Sequence, residues 1–422
     1  MVKVPYHKSF LEFDVDEQYI AGVLTSGAHD YAAQKSVAEL ISHAMSNPIG
    51  SPELSALSAG KKNILVITSD HTRPVPSHLT LPVMLRELRK GNPDANIRIL
   101  IATGFHRKTT REEMADKFGS EIAANEIIIN HDSRDEEGTT YLGLLPSGGE
   151  LWINSLAVDA DLIVADGFIE PHFFAGFSGG RKSVMPGIVS QKTVFSNHCS
   201  KFIADPLATT GNLEGNPIHA DMVFAARKAG LAFILNVVID ENKDVIGAFA
   251  GDFIAAHEAG CAFLRELAAV KRVESDIVIT SNGGYPLDQN IYQAVKGMSA
   301  AEKCVKTGGV IIIAASCVQG HGGEGFYDWF RNNKTAKEIQ EKILAIPQME
   351  TLPDQWEAQI LARILLKARV IIVSDMVDEK LVSDMKMTLC KTPDEALLLA
   401  RKLTSRETKI TIIPDGVSVI IE

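Results

Sequence analysis

The sequence is poor in cysteine and shows no cysteine pattern. Its five cysteines, Cys199, Cys261, Cys304, Cys317 and Cys390, are odd in number, far apart and form no C-x-x-C. That excludes a disulfide framework and a thiolate zinc site, and fits a reducing cytoplasm. Positive charge is in deficit: 42 Lys and Arg against 53 Asp and Glu leave a net charge of −11. The basic face that nucleic acid requires therefore has no support. No apolar run approaches the ~18 residues of a membrane helix, and the start, MVKVPYHKSFLEFDVD, lacks the apolar core of a signal peptide. The expectation is a cytoplasmic protein with no nucleic-acid or membrane partner. Low-complexity tracts, Ser/Gly linkers and internal repeats are missing as well, so any domain boundary must be read from the rhythm of strands and helices.

What is present is ample material for a core. The 422 residues are 45% hydrophobic and 23% charged, a globular composition, and at roughly 150 residues per domain they suggest about two or three domains. Short runs rich in Ile and Val recur between turn signals: NILVIT (63–68), IRILIAT (97–103), ADLIVAD (160–166), LAFILNVVI (231–239), SDIVITS (275–281), GGVIIIAAS (308–316) and ARVIIVS (368–374). They are continuous rather than alternating, as strands covered on both faces must be.

Helix starts lie between them. Thr109 and Thr110 stand three residues before Glu112 and Glu113, Ser299-Ala-Ala-Glu302 reads as a capping box, and Thr392-Pro393-Asp394-Glu395 adds a proline at the first helical position. The predicted fold is α/β, with two α/β domains, mainly parallel sheets and the active site in the cleft between them. A helical stretch over 252–272 followed by a fresh strand puts the boundary near 270. Residues 1–270 are then a cofactor-binding domain and 271–404 a domain that closes over the substrate. The tail KITIIPDGVSVII reads as a hairpin around Pro414-Asp415-Gly416, with 405–422 able to join the first domain.

Chemistry-bearing residues follow the strands, where open α/β sheets bind ligands. After NILVIT come Asp70, His71, Thr72 and Arg73, an arginine fork for a carboxylate or phosphate beside an acceptor. Taken alone, this is equally an Asx-turn with a surface arginine. After IRILIAT come Gly104, Phe105 and His106, a histidine suited to acid/base work or merely satisfied by a carbonyl. After ADLIVAD comes the densest stretch, EPHFFAGFSGGRKSVMPG, with His172, Phe173, Phe174, Phe177, Gly179, Gly180, Arg181 and Lys182. Its glycines suit a loop whose backbone approaches a ligand. Arg181 separates Gly180 from Lys182, so the G-x-x-x-x-G-K-[ST] phosphate loop is not matched. A lysine held there can instead react covalently if its pKa falls. His198 follows a short predicted helix, with no HExxH and no Cys/His cluster near it. In the second unit Tyr292, Gln293 and Lys296 share one helical face, and Trp356 is either a pocket wall or a packing anchor.

Read in order, SDHTRP, GFHR, EPHFFAGFSGGRKSVMPG, NHC and YPLDQNIYQAVKGMSAA resemble the nickel-dependent lactate racemase family over about residues 65–300. The resemblance implies a two-domain α/β isomerase that racemises or epimerises 2-hydroxy acids. It also implies nickel held in a nickel-pincer nucleotide, pyridinium-3-thioamide-5-thiocarboxylic acid mononucleotide, and partner proteins that synthesise that cofactor. Carried across, Lys182 would be the covalent attachment point and His198 the protein's metal ligand. His106 and His172 would be paired acid/bases, and Arg73 and Lys296 would hold the substrate carboxylate. Asp70, Thr72, Gly179 and Gly180 would help hold the cofactor, while Tyr292, Gln293, Phe174 and Trp356 would line the pocket. Lactate, malate, 2-hydroxyglutarate, phenyllactate and a sugar acid all stay open as substrates, with Arg181 the candidate cation for a dicarboxylate. A phosphate-binding transferase and a non-catalytic cofactor carrier are the alternatives outside this chemistry.

Overall fold

In the computed structural model, which describes residues 1–404 and 408–422, all seven apolar runs are strands. Twelve strands among the described residues build two six-stranded sheets. In chain order they are β1 (Ile20–Val23), β2 (Asn63–Ser69), β3 (Asn96–Ala102), β4 (Ile127–Asn130), β5 (Leu162–Phe168) and β6 (Leu231–Ile239). They continue with β7 (Val245–Gly251), β8 (Ser275–Ser281), β9 (Val305–Ala314), β10 (Arg369–Val373), β11 (Thr388–Cys390) and β12 (Ile410–Ile413).

The first sheet runs β7-β6-β5-β2-β3-β4 and is parallel except at β6–β7. From β2 the chain builds outward through β3 and β4, then returns to the other side of β2 with β5. The crevice at the carboxyl ends of β2 and β5 is thus a topological switch point. The second sheet runs β11-β10-β9-β8-β12-β1, is parallel throughout, and has its own switch point between β8 and β12. Both faces are covered: Val66 and Ile99 are buried on one side of the first sheet and Leu65 and Leu100 on the other, as are Ile277 and Ile312 against Val278 and Ile311 in the second. Each such side chain contributes roughly 1.5–3 kcal/mol on burial, which explains the unbroken Ile/Val runs.

The structure departs from the sequence reading in three places. Residues 1–270 do not all build the first sheet. The hairpin Val2–Tyr6 and Ser9–Phe13 buries Val4 and Phe13 against Ile277, Ile312 and Ile371, and β1 is the edge of the second sheet, beside β12. The 410–422 tail is not a hairpin: β12 lies parallel to β8, while Ile420–Ile421 pairs in parallel with Ala269–Val270. The turn between them is tied to β8 rather than to itself, since Ser281 Oγ donates to Pro414 O at 2.6 Å and Gly416 N to Ser281 O at 3.1 Å. Of the expected 405–422 segment, residues 405–407 lie outside the described residues.

Ser299 does not cap a helix. It is buried mid-way along the helix α2 (Ile291–Cys304), whose cap is Asn290 accepting from Gln293 N at 2.9 Å, and Glu302 pairs with Arg363 instead. The boxes at Thr110/Glu113 and Thr392/Glu395 do form. Among the described residues no helix is long and apolar enough to cross a membrane.

Candidate active site

The two switch points meet across one cleft of about 440 Å³, continued by a pocket of about 30 Å³. Arg73, His172, Phe173 and Lys296 border both spaces. Arg73 arrives on the loop after β2, His172 and Phe173 after β5, and Lys296 on α2 beyond β8, so each domain supplies one cation to the junction. The small pocket is walled by Thr72 and Glu170 from the first domain and by Leu287 and Gly416 from the second.

Around Asp70 a chain of hydrogen bonds forms. Arg73 Nη1 donates to Thr72 Oγ1 at 3.0 Å, Thr72 Oγ1 donates to Asp70 Oδ1 at 2.6 Å, and His106 Nδ1 donates to Asp70 Oδ2 at 2.6 Å. Burial raises the Asp70 carboxyl, but the hydrogen bond and charge of His106, with Arg73 and Thr72, outweigh it and hold the group well below the usual carboxylate range. In the neutral ring this bond fixes the His106 proton on Nδ1, so that Nε2 is the nitrogen with the lone pair. Asp70 thus turns out to orient the histidine, a pairing the spacing of 36 residues did not reveal.

His172 is held differently. The Ala175 N–H donates to its Nδ1 at 3.2 Å, so the neutral ring carries its proton on Nε2. Burial, then the charges of Lys182, Lys296, Arg73 and Arg181, push its pKa well below the ordinary histidine value. The two neutral rings are therefore held as opposite tautomers, His106 by an acceptor and His172 by a donor at Nδ1. Phe174 packs edge-on to both His172 and His198, at 4.6 and 5.2 Å between ring centroids.

Lys182 lies on the short 3-10 turn Gly180–Ser183. Burial, followed by the charges of Arg181, Arg73 and Lys296, drives its pKa far down, which favours the uncharged, nucleophilic form of the amine. The glycines before it are required by the protein behind the loop. A Cβ on Gly179 would lie 2.7 Å from Phe168 O, and one on Gly180 would lie 2.7 Å from the His257 ring. Gly179 still lines the cleft, whereas Gly180 packs away from it. Arg181 also points inward: it is 1% exposed and donates to Ala175 O at 2.7 Å and Gly179 O at 3.3 Å. It clamps the loop, is no part of the cleft wall, and cannot serve as a second carboxylate site.

His198 caps the helix α1 (Gln191–Asn197) and donates Nδ1–H to Val194 O at 3.1 Å. A carbonyl can only accept, so Nε2 is left with its lone pair, the form a metal binds. Burial, with the charge of Lys182, pushes its pKa down to about 3. Among the described residues no three His, Cys, Asp or Glu side chains converge as a metal site. One preset histidine fits a metal whose other donors come with a cofactor. The cleft also holds unpartnered buried polar atoms, Ser69 Oγ, Asp166 Oδ1, Gln293 Oε1 and Glu357 Oε1, which a polar ligand would satisfy.

The second domain closes the far side through the helix α3 (Gln355–Lys367). Trp356 Nε1 donates to Tyr292 OH at 2.9 Å, and its ring meets His198 at 5.1 Å. Gln348 and Gln359 donate across the domains to Ser196 O and Ser200 O, at 3.0 and 2.8 Å. Of the residues the motifs singled out, Asp70, Arg73, His106, His172, Phe174, Gly179, Lys182, His198, Tyr292, Gln293, Lys296 and Trp356 all line the cleft, Thr72 lines the adjoining pocket, and Gly180 lines neither.

The lactate racemase N-terminal domain family matches residues 6–211, and the lactate racemase C-terminal domain family matches residues 270–421. The chain belongs to the lactate racemase family. The lactate racemase of Thermoanaerobacterium thermosaccharolyticum is 57% identical over 420 residues, covering 100% of this chain and 99% of its own. That of Lactiplantibacillus plantarum is 52% identical over 421 residues, with the same coverage. The solved lactate racemase apoprotein from T. thermosaccharolyticum superposes with a TM-score of 0.97 at 56% identity, covering 100% of this chain and 99% of its own. A Thermotoga maritima protein, 22% identical with a TM-score of 0.67 over 93% of this chain and 100% of its own, shares the fold.

For this lactate racemase family member, motif reading missed the supports behind the site. Asn236 on β6 takes Gly180 N at 2.7 Å and so sets the loop that carries Lys182. Lys117 donates to Arg73 O at 2.8 Å. Neither has a local signal: Asn236 sits inside an apolar strand, and Lys117 reads as an ordinary charge near a helix end. Glu357 stands beside Trp356 with the same anonymity.

Proposed function

We propose that the protein interconverts the two enantiomers of lactate, with His106 and His172 exchanging the hydroxyl proton and Arg73 and Lys296 holding the carboxylate. The observation that carries this reading is the convergence of those two cations, one from each domain, on the small pocket that His172 also borders. A pocket of about 30 Å³ suits a carboxylate rather than a larger anion.

The residues present fit a nickel-pincer nucleotide held covalently by Lys182, with His198 as the protein's ligand to nickel. Bound there, the group would supply a reversible hydride acceptor. The protein's part is acid/base chemistry and orientation. An α-hydrogen beside an ionised carboxylate is hard to remove as a proton, since that would build a dianion. Taking the hydroxyl proton while the α-hydrogen departs as hydride keeps the substrate's negative charge at one, and Nε2 of His106, backed by the Asp70 carboxylate, is ready to accept that proton. Arg73 and Lys296 fix the carboxylate, so the substrate's central carbon can turn between two faces while its anchor stays in place. Tyr292, tied to Trp356, keeps water from the cleft on the second-domain side. The reading places the protein among isomerases, in the cytoplasm, and dependent on proteins that make the cofactor.

Lactate is favoured over malate or 2-hydroxyglutarate by the charge of the wall. The Lys and Arg side chains lining the cleft are Arg73, Lys182 and Lys296, and beside the histidines His106, His172 and His198 the wall carries the carboxyl groups of Asp70, Asp166, Asp354 and Glu357. A second substrate carboxylate would find no free cation. The test is chiral analysis of lactate and malate incubated with protein from a cofactor-making host. Racemisation of lactate, at a kcat/KM at least about tenfold above malate, is expected, with deuterium at the α-carbon of lactate retained in ordinary water. Wash-out of that deuterium, or preference for malate, would overturn the respective part of the reading. Exchanging Asp70 for Asn is expected to lower kcat about 10²-fold or more with a smaller change in KM, because it removes the charge that supports a protonated His106; steady-state kinetics of the loaded variant measures it.

A further inference from the structure

The chemistry above gives every cation of the cleft a task and leaves three carboxyls, those of Asp166, Asp354 and Glu357, without any. Glu357 lies in the first turn of α3, lines the cleft, is 1% exposed, and has an Oε1 atom with no hydrogen-bond partner. A buried carboxylate without a counter-charge is costly. The hydrogen bond from Trp356 to Tyr292 sets the register of α3 against α2, and the next residue on α3, Glu357, then shares its wall with Lys296, one turn beyond Tyr292 on α2. Lys296 in turn shares the small pocket with Arg73 from the first domain and with His172 and Glu170 from the loop after β5, and the cleft with Lys182 from the glycine turn. Three of these neighbours are cationic or can become so.

We propose that Glu357 is a positioning residue for Lys296, supplying from α3 the negative charge that keeps the lysine an ammonium beside Arg73, so that the two cations together capture the substrate's carboxylate. This rests on the racemase reading of the cleft. Burial pushes the Glu357 carboxyl up and the Lys296 ammonium down; the charge of Lys296 pulls the carboxyl back while Asp354 raises it further, and Arg73 lowers the ammonium further while Glu170 and Glu357 together pull it back. As pH rises, ionisation of the carboxyl strengthens the hold on the ammonium's proton. Without the carboxyl the ammonium, whose folded pKa is already below its ordinary value, loses its proton at lower pH, and carboxylate binding goes with it.

The test uses the cofactor-loaded enzyme and three variants, Glu357→Gln, Glu357→Asp and Lys296→Gln, with the Gln/Gln double variant. For Glu357→Gln, KM for lactate should rise about tenfold while kcat stays within about threefold, and the alkaline fall of kcat/KM should begin about one pH unit lower. Glu357→Asp should recover part of the loss, and Glu357→Gln should add nothing to KM in the Lys296→Gln background. Independently of turnover, acetylation of Lys296 by acetic anhydride at pH 7, read by peptide mass, should be several-fold faster in Glu357→Gln. An unchanged KM with unchanged Lys296 labelling overturns the proposal, as does loss of kcat or cofactor content at the parent's KM. Faster labelling in a protein that does not racemise lactate would uphold the pair and overturn the substrate assignment.

Discussion

Alanine at His106 or at His172 is expected to lower kcat/KM for lactate by about 10²–10⁴-fold, and by the same factor in both directions. The size follows from the loss of a positioned proton acceptor. The equality follows from thermodynamics: two mirror-image substrates have the same free energy, so the ratio of the two specificity constants is one for any variant. What is free to differ is the division between kcat and KM. His106 is backed by Asp70 with Nε2 unprotonated, whereas His172 is ringed by cations with Nδ1 occupied by the Ala175 amide. The two variants should therefore show opposite preferences in kcat between the enantiomers. Chiral progress curves from each pure enantiomer measure this, and survival of more than about one hundredth of the activity in both variants would remove the histidines from the reaction.

The second large effect is expected at Lys182. Protein from a host that makes the cofactor should carry an added mononucleotide-sized mass and about one nickel per chain, and Lys182→Ala should lack the mass, the metal and the activity. The argument is the microenvironment: an amine wholly buried beside Arg181, Arg73 and Lys296 is disfavoured as a cation and so left nucleophilic. His198→Ala should separate the two functions, keeping the added mass while losing nickel. Intact-mass spectrometry with metal analysis distinguishes them. An added mass that persists in Lys182→Ala would mean that attachment is elsewhere, and an unmodified parent from a host proven to load another family member would favour a carrier or transferase.

Much of this was legible because ligand chemistry in α/β sheets gathers where strands end. Asp70, His106 and His172 each follow an unbroken apolar run, and that placement holds whatever the sheet order. Other features depend on partners distant in sequence. β1 is four residues, IAGV, with no alternation to mark it, and its place is decided by a strand almost four hundred residues later. The 410–421 tail has the turn residues of a hairpin, but hydrogen bonds to Ser281 outcompete closure on itself. The link between Asp70 and His106 is a tertiary contact between adjacent strand ends, and the position of Glu357 depends on how two helices meet. The glycines of the Lys182 loop suit a backbone that approaches a ligand, yet for Gly180 the crowding comes from His257 behind it.

The edge position of β1 also bears on how the protein is made. Among the described residues its one neighbour in the sheet is β12, so on the ribosome residues 20–23 wait for residues 410–413 to emerge. The intervening strands β2–β7 are contiguous and can assemble into their own sheet early, as domains do during synthesis. The second sheet is left with an open edge at β8 until the chain is nearly complete, a surface on which a nascent chain can mispair. Stalling or trimming ahead of residue 410 would therefore unseat residues near position 20 while leaving the 63–251 sheet intact, and β1, made long before its partner, would be the last strand placed in its sheet.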